Sequence, residues 1–120
     1  MIVALVDASN VRRSTWPNIA SDELPALVAR WAESEGVQAV LVFDGAAPDA
    51  VYVDRVELVS TSRESADDRI ADEAARLGAA GADYWLVTSD RGLRKRAAEG
   101  AARTIGGGTL ARRLLELRDA

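Results

Sequence analysis

The sequence predicts an α/β fold, three layers of α/β/α with a mostly parallel central sheet of about five strands. Three observations predict it. Continuous apolar runs of strand length, "IVALV" at 2–6, "QAVLVF" at 38–43 and "YWLVT" at 84–88, read as strands buried on both faces. Segments with apolar residues at helical spacing alternate with them, which implies parallel strands and helices on both sides of the sheet. A chain of 120 residues has room for one core, so residues 1–120 read as a single domain.

The elements follow in order. After the first strand, Ser21 opens a helix over 22–34, with Leu24, Leu27, Val28 and Trp31 at helical spacing and Gly36 as its stop. The strand at 38–43 leads into a loop containing Gly45 and Pro48, then into a shorter strand, "VELVS", at 56–60. "SADDRIADEA" at 65–74 starts an alanine-rich helix expected to run to Leu77 and stop at Gly78. Ser65 and Asp68, three residues apart, have capping-box spacing, and acids in a first turn suit the positive end of the helix dipole. The strand at 84–88 precedes a basic helix, "RGLRKRAAE", ending at Gly100. "ARTI" at 102–105 is a fifth short strand, and "GGG" at 106–108 leads into a last helix with Leu110, Leu114 and Leu117 on one face.

Composition removes several kinds of chemistry. With 48% hydrophobic residues the chain is globular rather than disordered. It contains no cysteine, so disulfides, thiolate metal sites and a cysteine nucleophile are excluded. It contains no histidine either, which rules out a Ser-His-Asp triad and any imidazole-based, metal-free ribonuclease mechanism. The run "MIVALV" is too short for a signal peptide or a membrane span, so a soluble, cytoplasmic protein is expected. A net charge of −4 argues against a general nucleic-acid coat but not against nucleic acid as a substrate.

In open parallel sheets, ligands bind beyond the carboxyl ends of the strands, near a switch point. Acids fall at those ends. The first strand closes with "VDASN", giving Asp7 and Asn10; the second with "VFDG", giving Asp44; the fourth with "VTSD", giving Thr88, Ser89 and Asp90. Any one of these aspartates is explained by an ordinary turn or helix cap. Three at one sheet edge are less easily explained so, because clustered carboxylates repel and burial makes each more costly. A cation offsets that cost. On the "SADD" helix, Asp67, Ile70, Ala74 and Leu77 share one face, so Asp67 stands at the top of the core-facing stripe, while Asp68 lies between the two faces. Asp67 is therefore read as part of the cluster and Asp68 as its possible extension or as part of the cap. All candidate ligands are oxygens, which suits Mg²⁺ or Mn²⁺ and not zinc.

Basic residues flank the same edge. Arg12 and Arg13 follow the first strand, Arg63 precedes the "SADD" helix, and Arg91 and Arg94 follow the fourth strand. Arginine suits phosphate recognition because its fork matches two oxygens. Lys95 and Arg96 read instead as a solvated helix face. Trp16, in a loop between Thr15 and Pro17, reads either as a ring that stacks on a base or as a packing residue, whereas Trp31 and Trp85 read as core.

Together these pieces, "VDASNV", "VFDG", "ESADDRI" and "VTSDRGLR", with the closing "GGGTLARRL", resemble the PIN-like ribonucleases, specifically NYN domains of the YacP-like branch. Each motif is weak alone, but four occur in the right order along nearly the whole chain. The resemblance implies a parallel sheet with the first strand central and Mg²⁺- or Mn²⁺-dependent endoribonuclease activity leaving 5′-phosphate and 3′-hydroxyl ends. It implies Asp7, Asp67 and Asp90 as principal metal ligands and catalytic acids, with Asp68 beside them and Asn10, Asp44 and Ser89 in support. RNA, free or as ribosome-bound message, is the implied partner. The acidic balance keeps a second reading open, a non-catalytic module that binds RNA or the ribosome. A phospho-acceptor domain on a similar sheet fits worse, since the only lysine, Lys95, falls within a helix and the first strand lacks an Asp-x-Asp pair.

Overall fold

The computed structural model describes residues 1–49 and 53–120. The strands are β1 (Val3–Asp7), β2 (Gln38–Phe43), β3 (Val56–Ser60), β4 (Tyr84–Val87) and β5 (Arg103–Ile105). The helices are α1 (Ala8–Arg13), α2 (Leu24–Glu35), α3 (Ala66–Ala79), α4 (Arg91–Ala97) and α5 (Gly107–Asp119). The loop expected between β2 and β3 includes residues 50–52, which lie outside the described residues.

The strands form one sheet in the order β3-β2-β1-β4-β5. Each adjacent pair is parallel, and β1 is central, with Leu5 opposite Val40 on one side and Leu86 on the other. The chain builds outward from β1 to β3, then crosses back to place β4 on the opposite flank of β1. The carboxyl ends of β1 and β4 thus enclose the switch point where such sheets bind ligands.

Alternation of side chains along each strand divides the core into two layers. Ala4 and Val6 of β1, with Ala39, Leu41 and Phe43 of β2, face α1, α2 and α5 through Val11, Val28, Trp31, Leu110 and Leu114. Leu5, Val42 and Leu86 point the other way, onto Ile70 and Ala74 of α3 and Leu93 and Ala97 of α4. This is the three-layer arrangement that apolar strands without alternation require, because both faces need cover. Trp31 is buried, while Trp85 is half-buried, its ring 6.2 Å from Trp31 and 4.8 Å beneath the Arg103 guanidinium. Among the described residues no helix is long and apolar enough to cross a membrane.

Several element boundaries differ from expectation, each for a local reason. Helix α2 starts at Leu24 rather than after Ser21, because Pro25, with its fixed φ, occupies the first turn. Helix α3 continues through Gly78; the left-handed residue is Gly81 (φ 71°), and the amide of Ala82 returns to the carbonyl of Leu77. Helix α4 stops at Ala97, not Gly100, because the Tyr84 hydroxyl donates to the Ala97 carbonyl at 2.6 Å. The short helix α1, immediately after β1, occupies a stretch to which the sequence pattern assigns no element.

Candidate functional site

The chain leaves β1 at Asp7 and turns at once into α1, with Asp7 as the N-cap. One Asp7 oxygen, Oδ1, accepts the Asn10 amide at 3.3 Å, and the other, Oδ2, accepts the Thr88 hydroxyl at 3.1 Å. The same Thr88 oxygen accepts the Asp90 amide at 3.1 Å, so one buried hydroxyl ties the ends of β1 and β4 together. Asp90 in turn caps α4, accepting the Leu93 amide at 2.8 Å. Beside it, the Asn10 side-chain oxygen accepts the Ser89 amide at 2.9 Å, and Ser89 Oγ accepts the Gly107 amide at 2.9 Å. The loops after β1, β4 and β5 are thereby fastened to one another.

Two further acids enter from the other side. Asp44, just past β2, accepts the Ala66 amide at the start of α3 at 3.3 Å. Buried Thr61 holds the turn around it, donating to the Phe43 carbonyl at 2.9 Å and accepting the Gly45 amide at 3.0 Å. On α3, Ser65 caps the helix by accepting the Asp68 amide at 3.1 Å, as the spacing predicts. Asp67 heads the stripe whose lower members, Ile70, Ala74 and Leu77, are buried.

These elements enclose an open cleft of about 250 Å³ lined by Asp7, Asn10, Asp44, Asp67, Asp90 and Arg13, with Ser9, Ser65 and Ala66. Burial pushes the Asp7 carboxyl above the ordinary aspartate value; the Asn10 amide and Thr88 hydroxyl pull it back, and the charges of Asp67 and Asp90 raise it further. Asp67 is also raised, by desolvation first and then by Asp90, with Arg96 opposing. Carboxylates raised by one another's charge are relieved by a cation between them. Among the described residues no group of three acidic side chains stands close enough to hold one metal ion together. The donors that line the cleft are all oxygens, and the cleft is open to solvent. That suits an ion such as Mg²⁺, which keeps several waters and takes only one or two carboxylates directly.

Other residues singled out in the sequence lie elsewhere. Asp68 is outside the cleft lining and pairs with Arg96 at 2.9 Å, both side chains exposed; that guanidinium holds its carboxyl below the ordinary value. Arg12 and Arg94 are half-buried and bind backbone, Arg12 Nε donating to the Ile19 carbonyl and Arg94 Nε to the Thr88 carbonyl, each at 2.8 Å. Arg63 and Arg91 are exposed beyond the lining. Of the five arginines, Arg13 alone lines the cleft. Trp16 is exposed. The residues that sequence reasoning left without a role are Thr61 and Thr88, and the signal for both was a threonine placed directly after an apolar strand.

No curated protein sequence matches the chain. Among solved structures it is similar to the crystal structure of Rae1 (YacP) from Bacillus subtilis. The two share 25% identity with a TM-score of 0.74, over 99% of this chain and 76% of that one. A single-site variant of the same Bacillus subtilis protein is similar at 23% identity and a TM-score of 0.73, over 99% of this chain and 78% of that one. The YacP-like NYN domain family, nuclease-like and RNA-associated, matches residues 1–120, the segment that carries the parallel sheet and its acidic switch point, and the chain belongs to that family.

Proposed function

We propose that the cleft is the active site of an endoribonuclease that hydrolyses RNA phosphodiester bonds with Mg²⁺ or Mn²⁺. The observation that carries this reading is the convergence of Asp7, Asp44, Asp67 and Asp90 on one cleft at the switch point of the sheet. In a chain without histidine or cysteine, imidazole and thiolate routes are absent, and oxygen-held metal chemistry is the route to phosphodiester hydrolysis that fits the acids lining the cleft.

Asp7, Asp67 and Asp90 would hold the cation, one or two of them directly and the rest through its waters, with Asp7 in a single orientation because both its oxygens are hydrogen-bonded. When bound, such an ion acidifies water and offsets the charge that develops on a phosphodiester. Arg13 stands in the same lining to take a phosphate oxygen. Asp44 braces the start of α3, and so the position of Asp67. Asn10, Ser89 and the Gly107 amide hold the opposite wall.

Two measurements test the assignment. Millimolar Mn²⁺ or Mg²⁺ should raise the melting midpoint, because an ion that binds only the folded chain adds about 2.7 kcal/mol at a hundred times its Kd. No shift at millimolar metal would remove the cation from the account. The second separates neighbouring acids. Asp67→Asn should lower RNA cleavage by roughly tenfold or more, whereas Asp68→Asn, which only frees Arg96, should leave it within about threefold. Equal losses in the two variants would place Asp68 in the site as well.

A further inference from the structure

We propose that Trp16 is a base-stacking subsite beside the carboxylate cleft and that it directs the site to unpaired RNA. The proposal rests on the nuclease reading above and adds the substrate class. Trp16 is 90% exposed, and Met1 is the only other large hydrophobic side chain so exposed among the described residues. A buried packing role is therefore ruled out.

The loop that carries the indole is fastened rather than loose. Arg12 and Ile19 close its neck twice, the Ile19 amide donating to the Arg12 carbonyl at 3.2 Å and Arg12 Nε donating to the Ile19 carbonyl at 2.8 Å. Ile19 is buried in the core and anchors the returning strand of the loop. Inside, the Ser14 amide donates to the Val11 carbonyl at 3.2 Å and the Thr15 hydroxyl to the Pro17 carbonyl at 3.4 Å. An aromatic ring displayed on a closed loop loses little conformational freedom on binding.

Position gives the ligand. Helix α1, six residues and about 9 Å long, runs from Asp7 in the cleft to the base of this loop. Arg13, which lines the cleft, is three residues from Trp16. A Cβ placed on Gly108 would lie 3.5 Å from the Arg112 guanidinium and 3.9 Å from Ser14 Cβ, so the first turn of α5, with Arg112, packs near the residue after α1. Arginines near the base of a loop that carries an open aromatic ring supply the elements of a single-strand track, cations for phosphates and a ring for a base. A paired base, stacked within a duplex, does not present a free face to the indole.

The test is fluorescence anisotropy with a labelled oligouridylate and a duplex of matched length. It is read in an Asp7→Asn, Asp67→Asn background, which blocks cleavage and removes two of the cleft's charges. Trp16→Ala should weaken single-strand binding roughly 5- to 100-fold, the range of one lost base–aromatic stack, while Trp16→Phe restores part of it and duplex binding stays unchanged. Because the side chain is exposed, the melting midpoint should not move. Unchanged single-strand binding in Trp16→Ala would overturn the subsite. So would an equal loss for the duplex, or a change confined to self-association by sedimentation, which would make Trp16 a protein contact. Nuclease activity has its own readout, metal-dependent cleavage by the wild type. Cleavage with Trp16→Ala binding unaltered sinks the subsite alone, and stacking without any cleavage sinks the nuclease alone.

Discussion

Replacing Asp7 by Asn should abolish RNA cleavage, by at least about 100-fold, while making the metal-free protein melt higher. The two effects have one cause. Asp7 is a buried carboxylate raised by desolvation and by Asp67 and Asp90, so its folded pKa lies above its ordinary value of 3.8. A group raised in this way contributes its stability below the unfolded pKa and loses it as pH rises through the folded pKa. At neutral pH without metal, the carboxylate is therefore a net cost to the fold. Asn removes the charge and keeps the N-cap, since it caps helices as well as Asp does. Its amide can donate to Thr88 Oγ1, which has a lone pair free for it beside the one taken by the Asp90 amide. In EDTA the midpoint should rise by a few degrees, each ~1 kcal/mol being worth roughly 3–6 °C in a chain of this size. The difference from wild type should open as pH rises from about 4 and close in acid. A variant that melts lower than wild type at pH 7 would mean that the Asp7 hydrogen bonds outweigh its desolvation.

Gly107→Ala should be the most damaging single-methyl change at the site. Gly107 is the first residue of α5, and its backbone has no positive φ that would demand glycine. The demand is close approach. A Cβ there would run into the Asn10 side-chain oxygen, with Asn10 Cγ at 3.0 Å and Ser14 Oγ at 3.2 Å. Asn10 cannot retreat without releasing the Ser89 amide it holds at 2.9 Å, and Ser89 adjoins Asp90. The expected loss is roughly 1–3 kcal/mol of stability from the clash and the broken bond. Cleavage should fall by about tenfold or more, because small displacements of catalytic groups are costly. The neighbouring Gly108→Ala is the control. Its Cβ would meet only ordinary contacts of 3.5 Å or more, so relief from helical glycine should leave stability equal or higher by up to about 1 kcal/mol. Matching losses at 107 and 108 would refer the effect to the glycine run and not to the Asn10 contact.

The strands were the most legible part of the chain. The stretch 38–43 coincides with β2 as an apolar run of strand length followed by turn residues, and 56–60 coincides with β3 as a short run rich in valine. Parallel order followed from the alternation with helices. Helix α1 was not legible, since six residues with only Ala8 and Val11 buried are too short to show a period. Helix ends differ from expectation for two reasons: a tertiary contact from Tyr84 closes α4, and among nearby glycines Gly81 rather than Gly78 takes the left-handed turn after α3. Around the cleft, the acids were visible because each stands at the end of an apolar run. Thr88 was visible beside Asp90, but its bracing role and that of Thr61 were not, because their partners lie 81 and 18 residues away in sequence. Arginine roles were the least legible. Flanking position gave Arg12, Arg13, Arg63, Arg91 and Arg94 equal standing, and only packing separates Arg13 in the cleft from Arg12 and Arg94 on backbone carbonyls.

The central claim is that the converging aspartates make a metal-dependent ribonuclease. Its most direct test is incubation of the purified protein with a mixed RNA pool in Mn²⁺ or in EDTA, beside Asp7→Asn, with the product ends determined. Cleavage is expected in Mn²⁺ and not in EDTA, lost in the variant, with 5′-phosphate and 3′-hydroxyl ends. Cleavage that persists in EDTA, or that Asp7→Asn carries out as well as wild type, would contradict it.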